Sequence, residues 1–188
     1  MDSILPGGSD SGIAFFATAI GECGIAWNGT AVTGVQLPER TPAATRAHLA
    51  KRFPAARETA LPGFVRSAID DIVTLLDGGR TDLSGVPLDM RHVPEFNRRV
   101  YEIARTIAPG STITYGDLAA RLGDPGAARD VGKALGQNPF PIVVPCHRVL
   151  AAGGRAGGFS GGSGVPTKLR MLAIERSPGP LFEHPPAP

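Results

Sequence analysis

Residues 142–149 read IVVPCHRV and place a thiol directly before two basic side chains. Cys146 follows an apolar run and Pro145, and His147 and Arg148 come immediately after it. Because proline has no amide hydrogen to donate to a neighbouring strand, Cys146 is expected to lie where a strand ends. Positive or polarisable groups nearby favour the thiolate, which is the nucleophilic form of cysteine. The pattern therefore indicates nucleophilic chemistry at sulfur.

A buried unpaired cysteine is more often a small apolar residue without a chemical role, so the loop that follows Cys146 matters. Residues 153–162 read GGRAGGFSGG, and glycine at this density lets a backbone lie close to a ligand. Phe159 in the centre is an unusual choice for a flexible connector. We interpret the loop as the opposite wall of a pocket. Adjacent residues of an extended chain point to opposite faces, so a water or a turn is expected to connect Cys146 with His147.

The elements that must position these residues fall into two parts. In the first part, β-type runs separated by Gly and Asn turn signals predict an antiparallel meander of about three strands, at residues 12–20, 24–27 and 31–37. Helical spacing then predicts helices at 43–53 and 64–76. Residues 81–93 have no helical period and are expected to cross to the second part as extended chain.

From residue 94 onward the spacing predicts mainly helices, at about 96–107, 115–122, 127–136 and 167–176. The last of these is expected to turn Leu169, Leu172 and Ala173 inward. The tail at 177–188 contains five prolines and is expected to be disordered.

The two short helices in the middle of the second part are joined by the turn 123–126, which reads GDPG. Thr114 is the expected N-cap of the first, with Asp117 three residues later. This arrangement is typical of a helix-turn-helix, with Arg129 and Lys133 one turn apart on the outer face of the second helix. On the pattern alone, an exposed basic face on a helical hairpin is the slightly favoured alternative.

Length and composition are those of an ordinary globular chain, with 188 residues of which 42% are hydrophobic and 19% charged. No apolar run is long enough to span a bilayer and MDSILPGGSD lacks the layout of a signal peptide, so a cytoplasmic protein with no membrane partner is expected. Two cysteines and four scattered histidines predict neither a disulfide framework nor a metal site.

The charge is distributed unevenly along the chain. Residues 1–96 carry eight Lys/Arg against eleven Asp/Glu, and residues 97–188 carry eleven against six. Only the second part is therefore expected to meet a polyanion.

The helix-turn-helix pattern, the Asn138-Pro139 step, PCHRV and the glycine-rich loop occur in this order, which closely resembles the O6-alkylguanine-DNA alkyltransferases, or methylated-DNA–protein-cysteine methyltransferases. The resemblance runs from about residue 96 to 175, with a weaker similarity in the first strands. It implies an α+β fold, with a small N-terminal α/β domain carrying an antiparallel, ribonuclease H-like sheet. A mainly helical C-terminal domain with a winged helix-turn-helix-like motif would follow. The implied boundaries are 1–92 for the first domain with its linker, 93–176 for the DNA-binding and alkyl-acceptor domain, and 177–188 for the tail.

The resemblance implies a single-turnover methyltransferase for DNA repair that acts without a cofactor. Cys146 corresponds to the alkyl acceptor, and His147 to the histidine that takes its proton through a water. Glu175 corresponds to the carboxylate that orients this histidine, and Asn138 to the asparagine that braces the turn beneath the site. This is the nucleophile, base and orienter logic of covalent catalysis. Because a thioether is too stable to reverse, each molecule is expected to react once.

The partner implied by the resemblance is double-stranded DNA that carries O6-alkylguanine, with O4-alkylthymine as a further candidate substrate, and the protein is expected to be a monomer. Arg129 corresponds to the arginine that replaces the extruded nucleotide in the base stack, and Tyr115 to the tyrosine that turns the target phosphate and approaches the base. Ala128 and Gly132 would let the helix approach the minor groove closely, and Lys133 would contact a phosphate.

The resemblance also assigns residues to the pocket for the extruded base. The backbone N–H of Ser160 corresponds to the donor for guanine O6, and the carbonyls of Cys146 and Val149 to acceptors for the exocyclic amine. Phe159 and Gly161 belong to the loop that would wall the pocket. Flipping a base costs a few kcal/mol and is easiest for a damaged one.

The sequence departs from the family pattern at three positions. Phe159 stands where a tyrosine is usual, Asp130 follows the arginine where a small residue is common, and Lys133 stands where small residues are frequent. An acid near phosphate should weaken DNA affinity, and Lys133 would offset it. Cys23 has no corresponding role and is expected to be a buried strand residue.

Two alternatives stay open from the sequence. A lesion-binding protein with weak or no transfer is one, although such relatives lack the acceptor cysteine that Cys146 supplies. A Cys-His hydrolase is the other; it would turn over repeatedly and would need an oxyanion site, for which the sequence shows no separate motif.

Overall fold

The computed structural model describes residues 11–175, so the proline-rich tail lies outside the described residues. The helices within this range are α1 (Pro42–Arg52), α2 (Gly63–Leu76), α3 (Glu95–Ala104), α4 (Tyr115–Arg121), α5 (Ala128–Gly136) and α6 (Val165–Ile174). The strands are β1 (Gly12–Thr18), β2 (Gly21–Trp27), β3 (Val32–Gln36), β4 (Arg57–Glu58), β5 (Ile113–Thr114) and β6 (Val149–Leu150). Short 3₁₀ turns occur at Pro125–Ala127, Cys146–Arg148 and Ala152–Gly154. The protein is a mixed α and β structure, as the sequence predicts.

The first three strands form the predicted antiparallel meander. Gly21 allows the tight reversal between β1 and β2, because its φ of 128° lies in the region that favours glycine. A fourth strand, β4, adds parallel to β1 and gives the sheet order β3-β2-β1-β4. The sequence analysis did not predict β4, since two exposed polar residues leave no period to read. A second, two-stranded sheet pairs β5 with β6.

Where the sequence supplies a capping residue, the helix begins close to its predicted start, as at α4. Thr114 and Asp117 form a capping box at the start of α4: the Thr114 hydroxyl accepts from the Asp117 amide at 3.0 Å, and the Asp117 carboxylate accepts from the Thr114 amide at 2.8 Å. These bonds satisfy two amide donors that a helix start leaves free. The Pro125–Ala127 turn then joins α4 to α5. Tyr101 on α3 donates to the Ala134 carbonyl at 2.8 Å and holds α3 against α5.

Buried apolar side chains from both halves of the chain form one continuous cluster. Ile25 and Ile72 contribute from the first half, and Val100, Val131 and Met171 from the second. The division into two domains near residue 92 stays a prediction, because the core does not break there. No helix within residues 11–175 is long and apolar enough to cross a membrane.

The inward face of α6 differs from the expected one. Lys168, Met171 and Leu172 are buried, whereas Ala173 is exposed and Leu169 is half-buried. The expectation that Leu169 and Ala173 point inward was therefore wrong. A helix starting at Val165 turns residues three and four apart toward the core, and that row ends at Glu175, directly after the helix.

Candidate active site

Cys146 lies on a 3₁₀ turn and not at the end of a strand. The apolar run before it folds back on itself: the Val144 amide donates to the Phe140 carbonyl at 2.8 Å. Ile142 has a φ of 75°, which is rare for a β-branched residue and prevents extended pairing. The strand predicted from the apolar run was therefore wrong. Its hydrophobicity reflects burial within a folded-back turn.

Asn138 braces this turn through both ends of its amide. Its Nδ2 donates to the Val144 carbonyl at 2.9 Å, and its Oδ1 accepts from the Phe140 amide at 2.9 Å. The Cys146 amide donates to the same Val144 carbonyl at 2.8 Å. The side chain of Asn138 and the backbone amide of Cys146 thus share the Val144 carbonyl as their hydrogen-bond acceptor.

The Cys146 thiol is almost completely buried, with 7% of the residue exposed. Burial raises the pKa of this thiol, while hydrogen bonding by Asn138 and the charge of Lys168 act in the opposite direction. The other thiol, Cys23, is fully buried in β2, and burial raises its pKa to about 12. Cys23 is therefore the buried strand residue that the sequence predicts.

Glu175 joins His147 and Arg148 in one buried cluster. Its Oε1 lies 2.8 Å from His147 Nε2 and accepts from Arg148 Nη2 at 2.8 Å. Its Oε2 accepts from Arg148 Nε at 2.9 Å, so the guanidinium and carboxylate pair through two parallel bonds. The Arg148 Nη1 donates to the Ile107 carbonyl at 2.6 Å. The cluster ties α6 to the turn that bears Cys146.

The electrostatics of the cluster fix the state of the imidazole. Burial alone would raise the pKa of Glu175, but hydrogen bonds and charges from His147 and Arg148 outweigh it and hold the pKa at about 2. Burial lowers the pKa of His147. A neutral imidazole beside an ionised carboxylate donates through Nε2–H, which leaves the Nδ1 lone pair as the acceptor. Within residues 11–175 this buried Nδ1 has no hydrogen-bond partner.

The cation that acts on the thiol differs from the expected one. The guanidinium of Arg148 is taken up by Glu175 and Ile107, so it is a structural partner of the cluster. Lys168, which the sequence analysis did not single out, is fully buried and donates from Nζ to the Val149 carbonyl at 2.6 Å. Burial lowers the pKa of Lys168 to about 8, while the charge of Cys146 acts to raise it. If the buried face of α6 had been predicted correctly, Lys168 would have stood out as a lysine among apolar residues.

Aromatic rings flank this lysine. Its Nζ lies 5.7 Å from the centre of the Tyr115 ring and 5.9 Å from that of Phe159, within the range of cation–π attraction. The lysine thus lies between the two aromatic residues predicted to line the pocket. Val149, predicted to offer its carbonyl to a base, already accepts from Lys168 and keeps a second lone pair.

A cavity of about 590 Å³ opens over Cys146. Its lining contains eight of the site residues singled out from the sequence, Tyr115, Ala128, Arg129, Gly132, Lys133, Cys146, Phe159 and Ser160, and is completed by Leu135, Gly136 and Gly158. The other singled-out residues, Asn138, His147, Val149, Gly161 and Glu175, do not line it. The cavity therefore brings the thiol, the glycine-rich loop and the exposed side of α5 together.

The glycine-rich loop is held at several points. Ser160 Oγ donates to the Gly136 carbonyl at the end of α5, at 2.8 Å. Gly157 has a φ of 66°, and a Cβ there would lie 3.1 Å from the Tyr115 ring. A Cβ on Gly161 would lie 2.6 Å from Leu37 of the N-terminal half. These close approaches favour a pocket wall over a flexible connector.

The outer face of α5 carries two basic side chains in different states. Arg129 is exposed and makes no hydrogen bond or ion pair with any other described residue. Lys133 is exposed but paired, with its Nζ 3.0 Å from the Asp130 carboxylate. Gly132 has no side chain, so the surface of α5 does not protrude at this point. A Cβ there would lie 3.9 Å from the Tyr115 ring.

Comparison with known proteins agrees with this geometry. The protein-family model described as "6-O-methylguanine DNA methyltransferase, DNA binding domain" matches residues 95–177. The methylated-DNA–protein-cysteine methyltransferase of Methanothermobacter thermautotrophicus is 41% identical over 118 residues, which are 63% of this chain and 65% of that protein. The Mycobacterium bovis protein of the same name is 41% identical over 119 residues, 63% of this chain and 70% of the relative. The chain belongs to the methylated-DNA–protein-cysteine methyltransferase family.

Solved structures extend the likeness beyond the second half of this methyltransferase. A crystal structure of Mycobacterium tuberculosis O6-methylguanine methyltransferase superposes with a TM-score of 0.69 at 34% identity, over 91% of this chain and 97% of that one. A crystal structure of Mycobacterium tuberculosis OGT in complex with DNA has a TM-score of 0.70 at 32% identity, over 90% and 96%. The predicted family and enzyme class, a methyltransferase acting on methylated DNA through a protein cysteine, are thereby confirmed.

Proposed function

We propose that this methyltransferase extrudes O6-alkylguanine from duplex DNA and moves the alkyl group to Sγ of its own Cys146. The observation that carries the proposal is the position of this thiol at a cavity between the glycine-rich loop and α5. The buried His147–Glu175 pair adjoins it on the same turn and on α6. A nucleophile, a base and a group that orients the base are thus assembled at one site.

The chemical step is a displacement at the alkyl carbon. The Sγ–C bond forms while the C–O6 bond breaks, and the electron pair of that bond leaves with guanine O6. His147 Nδ1 takes the thiol proton through a water, because Nε2 is occupied by Glu175. Guanine leaves as an anion that accepts a hydrogen bond at O6 from the Ser160 amide and takes up one proton from water, which balances the proton that the thiol gives to His147. Every atom comes from the protein, the alkylated base or water, so no cofactor and no metal are required.

Lys168 supports the same step. A buried ammonium close to the thiol favours the thiolate, which offsets part of the burial that raises the pKa of Cys146. Its bond to the Val149 carbonyl fixes the ammonium beneath the pocket. At neutral pH the lysine is mostly charged, since its pKa of about 8 lies above that value.

Recognition of DNA falls to α4 and α5, which we assign to a winged helix-turn-helix-like motif. Ala128 and Gly132 keep the helix surface low for close approach to the minor groove. The exposed guanidinium of Arg129, which has no partner among residues 11–175, is available to fill the space that an extruded nucleotide leaves in the stack. Tyr115 turns the target phosphate, and Lys133 contacts the backbone as a point charge.

The pocket would hold the extruded base between Tyr115 and the glycine-rich loop. The Ser160 backbone amide is the donor assigned to guanine O6, since the Ser160 hydroxyl is used by the Gly136 carbonyl. The ring of Phe159 would pack on the base, a contact worth about 1–3 kcal/mol that needs no hydroxyl. Gly161 lets this loop lie against Leu37. O4-alkylthymine is a second substrate of the same chemistry.

The finer fold assignments belong to the same proposal. The sheet order β3-β2-β1-β4, with only β4 parallel, supports a ribonuclease H-like N-terminal sheet within residues 1–92. Residues 93–176 form the DNA-binding and alkyl-acceptor domain. We assign a cytoplasmic, monomeric protein, because a single chain carries every group that the reaction uses.

The decisive test is intact mass after incubation with a methylated-guanine duplex. The protein should gain one methyl group per molecule, mapped by peptide analysis to Cys146 and not to Cys23. Cys146→Ser should gain none, and Cys23→Ser should react like the parent. Turnover beyond one equivalent would instead favour the Cys-His hydrolase, and duplex binding without any mass gain would favour a lesion-binding protein.

A further inference from the structure

The N-terminal half donates two hydrogen bonds to the Asn138 turn, both to the carbonyl of Pro139. The Val35 amide on β3 donates to this carbonyl at 2.9 Å. Arg52, the last residue of α1, donates to it from Nη2 at 3.3 Å. The same guanidinium donates from Nη1 to the Val35 carbonyl at 3.0 Å and to Gln36 Oε1 at 3.2 Å. Arg52 therefore links the helix, the sheet and the turn.

The backbone beneath Arg52 is shaped to let it reach Pro139. A Cβ on Gly34 would lie 3.0 Å from Arg52 Nη2 and 2.6 Å from Phe53 Cζ. Cavities of about 600 and 430 Å³ flank the guanidinium, and Arg52 and Pro139 line both of them. At this point the two halves are thus joined by hydrogen bonds that have open space on either side.

A gain in stability does not by itself explain why position 52 is an arginine. Arg52 has no carboxylate partner within residues 11–175, and burial lowers its pKa. A half-buried charge that meets only carbonyl and amide oxygens and the ring of Phe53, 5.3 Å away, is an expensive choice where a long apolar side chain could pack. Its geometry matches a different task, which is to fix the position of a backbone segment.

The segment that Arg52 holds leads directly to the thiol. Pro139 follows Asn138, whose side chain donates to the Val144 carbonyl at 2.9 Å, and that carbonyl also accepts from the Cys146 amide. We infer that Arg52 is a positioning residue for alkyl transfer, acting from the N-terminal half through Pro139 and Asn138 on the turn that bears Cys146. The inference rests on the proposed function for its role in repair, but its effect on the thiol does not depend on DNA.

The test compares Arg52→Met with Arg46→Met. Arg46 lies on the same helix and pairs at the surface with Glu22 and Glu58, so it is a matched control for a lost arginine. Two rates are measured well below the melting temperature: alkylation of Cys146 by iodoacetamide without DNA, and single-turnover transfer from methylated duplex. We expect Arg52→Met to slow both by about tenfold, which corresponds to about 1.4 kcal/mol, and Arg46→Met to leave both unchanged.

Two further variants separate positioning from general loosening. Arg52→Lys keeps a donor and should restore part of both rates. Gly34→Ala should slow both, because the added Cβ would meet the Phe53 ring at 2.6 Å and Arg52 Nη2 at 3.0 Å and so push the guanidinium aside without removing it. Parental iodoacetamide rates in Arg52→Met, or equal slowing in Arg46→Met, would overturn the inference. Failure of the parent to accept methyl from DNA would overturn the proposed function, while the iodoacetamide comparison would still judge Arg52.

Discussion

Glu175 is the residue on which the site depends most, because its two oxygens serve two different partners. One oxygen bonds both His147 and Arg148, and the other bonds Arg148 and, at 3.4 Å, the amide of Gly110. In the proposed reaction, the arginine keeps the carboxylate ionised, so a proton taken from Cys146 would stay on the imidazole. The carboxylate in turn selects the tautomer that leaves Nδ1 free to accept. A buried ion pair is weak evidence for stability, but removing one member leaves the other charge uncompensated.

The first prediction concerns Glu175→Gln. The folded-state pKa of Glu175, about 2, lies below its usual 4.5, so its contribution to stability is present above pH 4.5 and is lost as the pH falls toward 2. The variant should lose about 3–5 kcal/mol at neutral pH, because Arg148 and His147 stay buried without their partner. It should also lose less additional stability than the parent between pH 4.5 and 2.

Urea unfolding across this pH range measures both effects. Glu102→Gln is the control, because Glu102 is an exposed carboxylate whose oxygen lies 4.0 Å from Arg98. It should follow the parent at every pH. If Glu175→Gln and the parent lose stability in parallel below pH 4.5, the carboxylate is not held ionised as described.

At the scale of elements, α5 combines an exposed arginine, Arg129, with a lysine that is paired with Asp130. Asp130 and Lys133 lie on adjacent turns and their charges are 3.0 Å apart. Such exposed pairs contribute little to stability, about 0.3–0.5 kcal/mol. The pair nevertheless reduces the positive potential that the helix would present to a phosphate, because the negative charge lies beside the positive one. In the proposed complex with DNA, Asp130 would therefore weaken the contribution of Lys133.

Asp130→Asn should therefore bind any duplex more tightly, and its affinity should fall more steeply with salt by about one charge. Lys133→Ala should do the reverse, and the double variant should resemble Lys133→Ala. Fluorescence anisotropy with an unmodified duplex at several salt concentrations measures the slopes. Identical slopes for the parent and Asp130→Asn would show that α5 does not face the phosphates.

The elements also show what the sequence could and could not predict. The meander, α1, α2 and the capping box of α4 depend on neighbours within a few residues, so local periodicity and cap residues revealed them. Two features depend on distant partners: β4 on its pairing with β1, and buried Lys168 on the Val149 carbonyl. The role expected for Arg148 failed for the same reason, because Glu175 is 27 residues away. The turn at Ile142 is local, but it depends on side-chain hydrogen bonds of Asn138 that no hydrophobic period reveals.

At the scale of the whole molecule, the continuous core sets how the protein unfolds. Buried side chains from both halves contact each other, and Arg52 joins the halves at Pro139. A structure whose core does not break near residue 92 should unfold as one cooperative unit. Destabilising either half should then lower the melting temperature of the whole.

This can be tested with one probe in each half. Trp27, the only tryptophan, reports on the N-terminal sheet, and Cys146 reports on the C-terminal half by its accessibility to a thiol reagent in a Cys23→Ser background. The two urea midpoints should coincide in the parent, and Ile72→Ala should shift both by the same amount. Separate midpoints would show that the halves unfold independently.

The full burial of Cys23 has a consequence for how repair by this protein would be counted. Cys23 is fully buried in β2 and does not line the cavity over Cys146, so this second thiol cannot reach an extruded base once Cys146 has become a thioether. A solution of the protein then behaves as a titrant: added lesions disappear in proportion until an end point is reached, and the end point equals the number of molecules. Dose, not time, sets the amount of damage that can be removed, and only new synthesis restores the capacity.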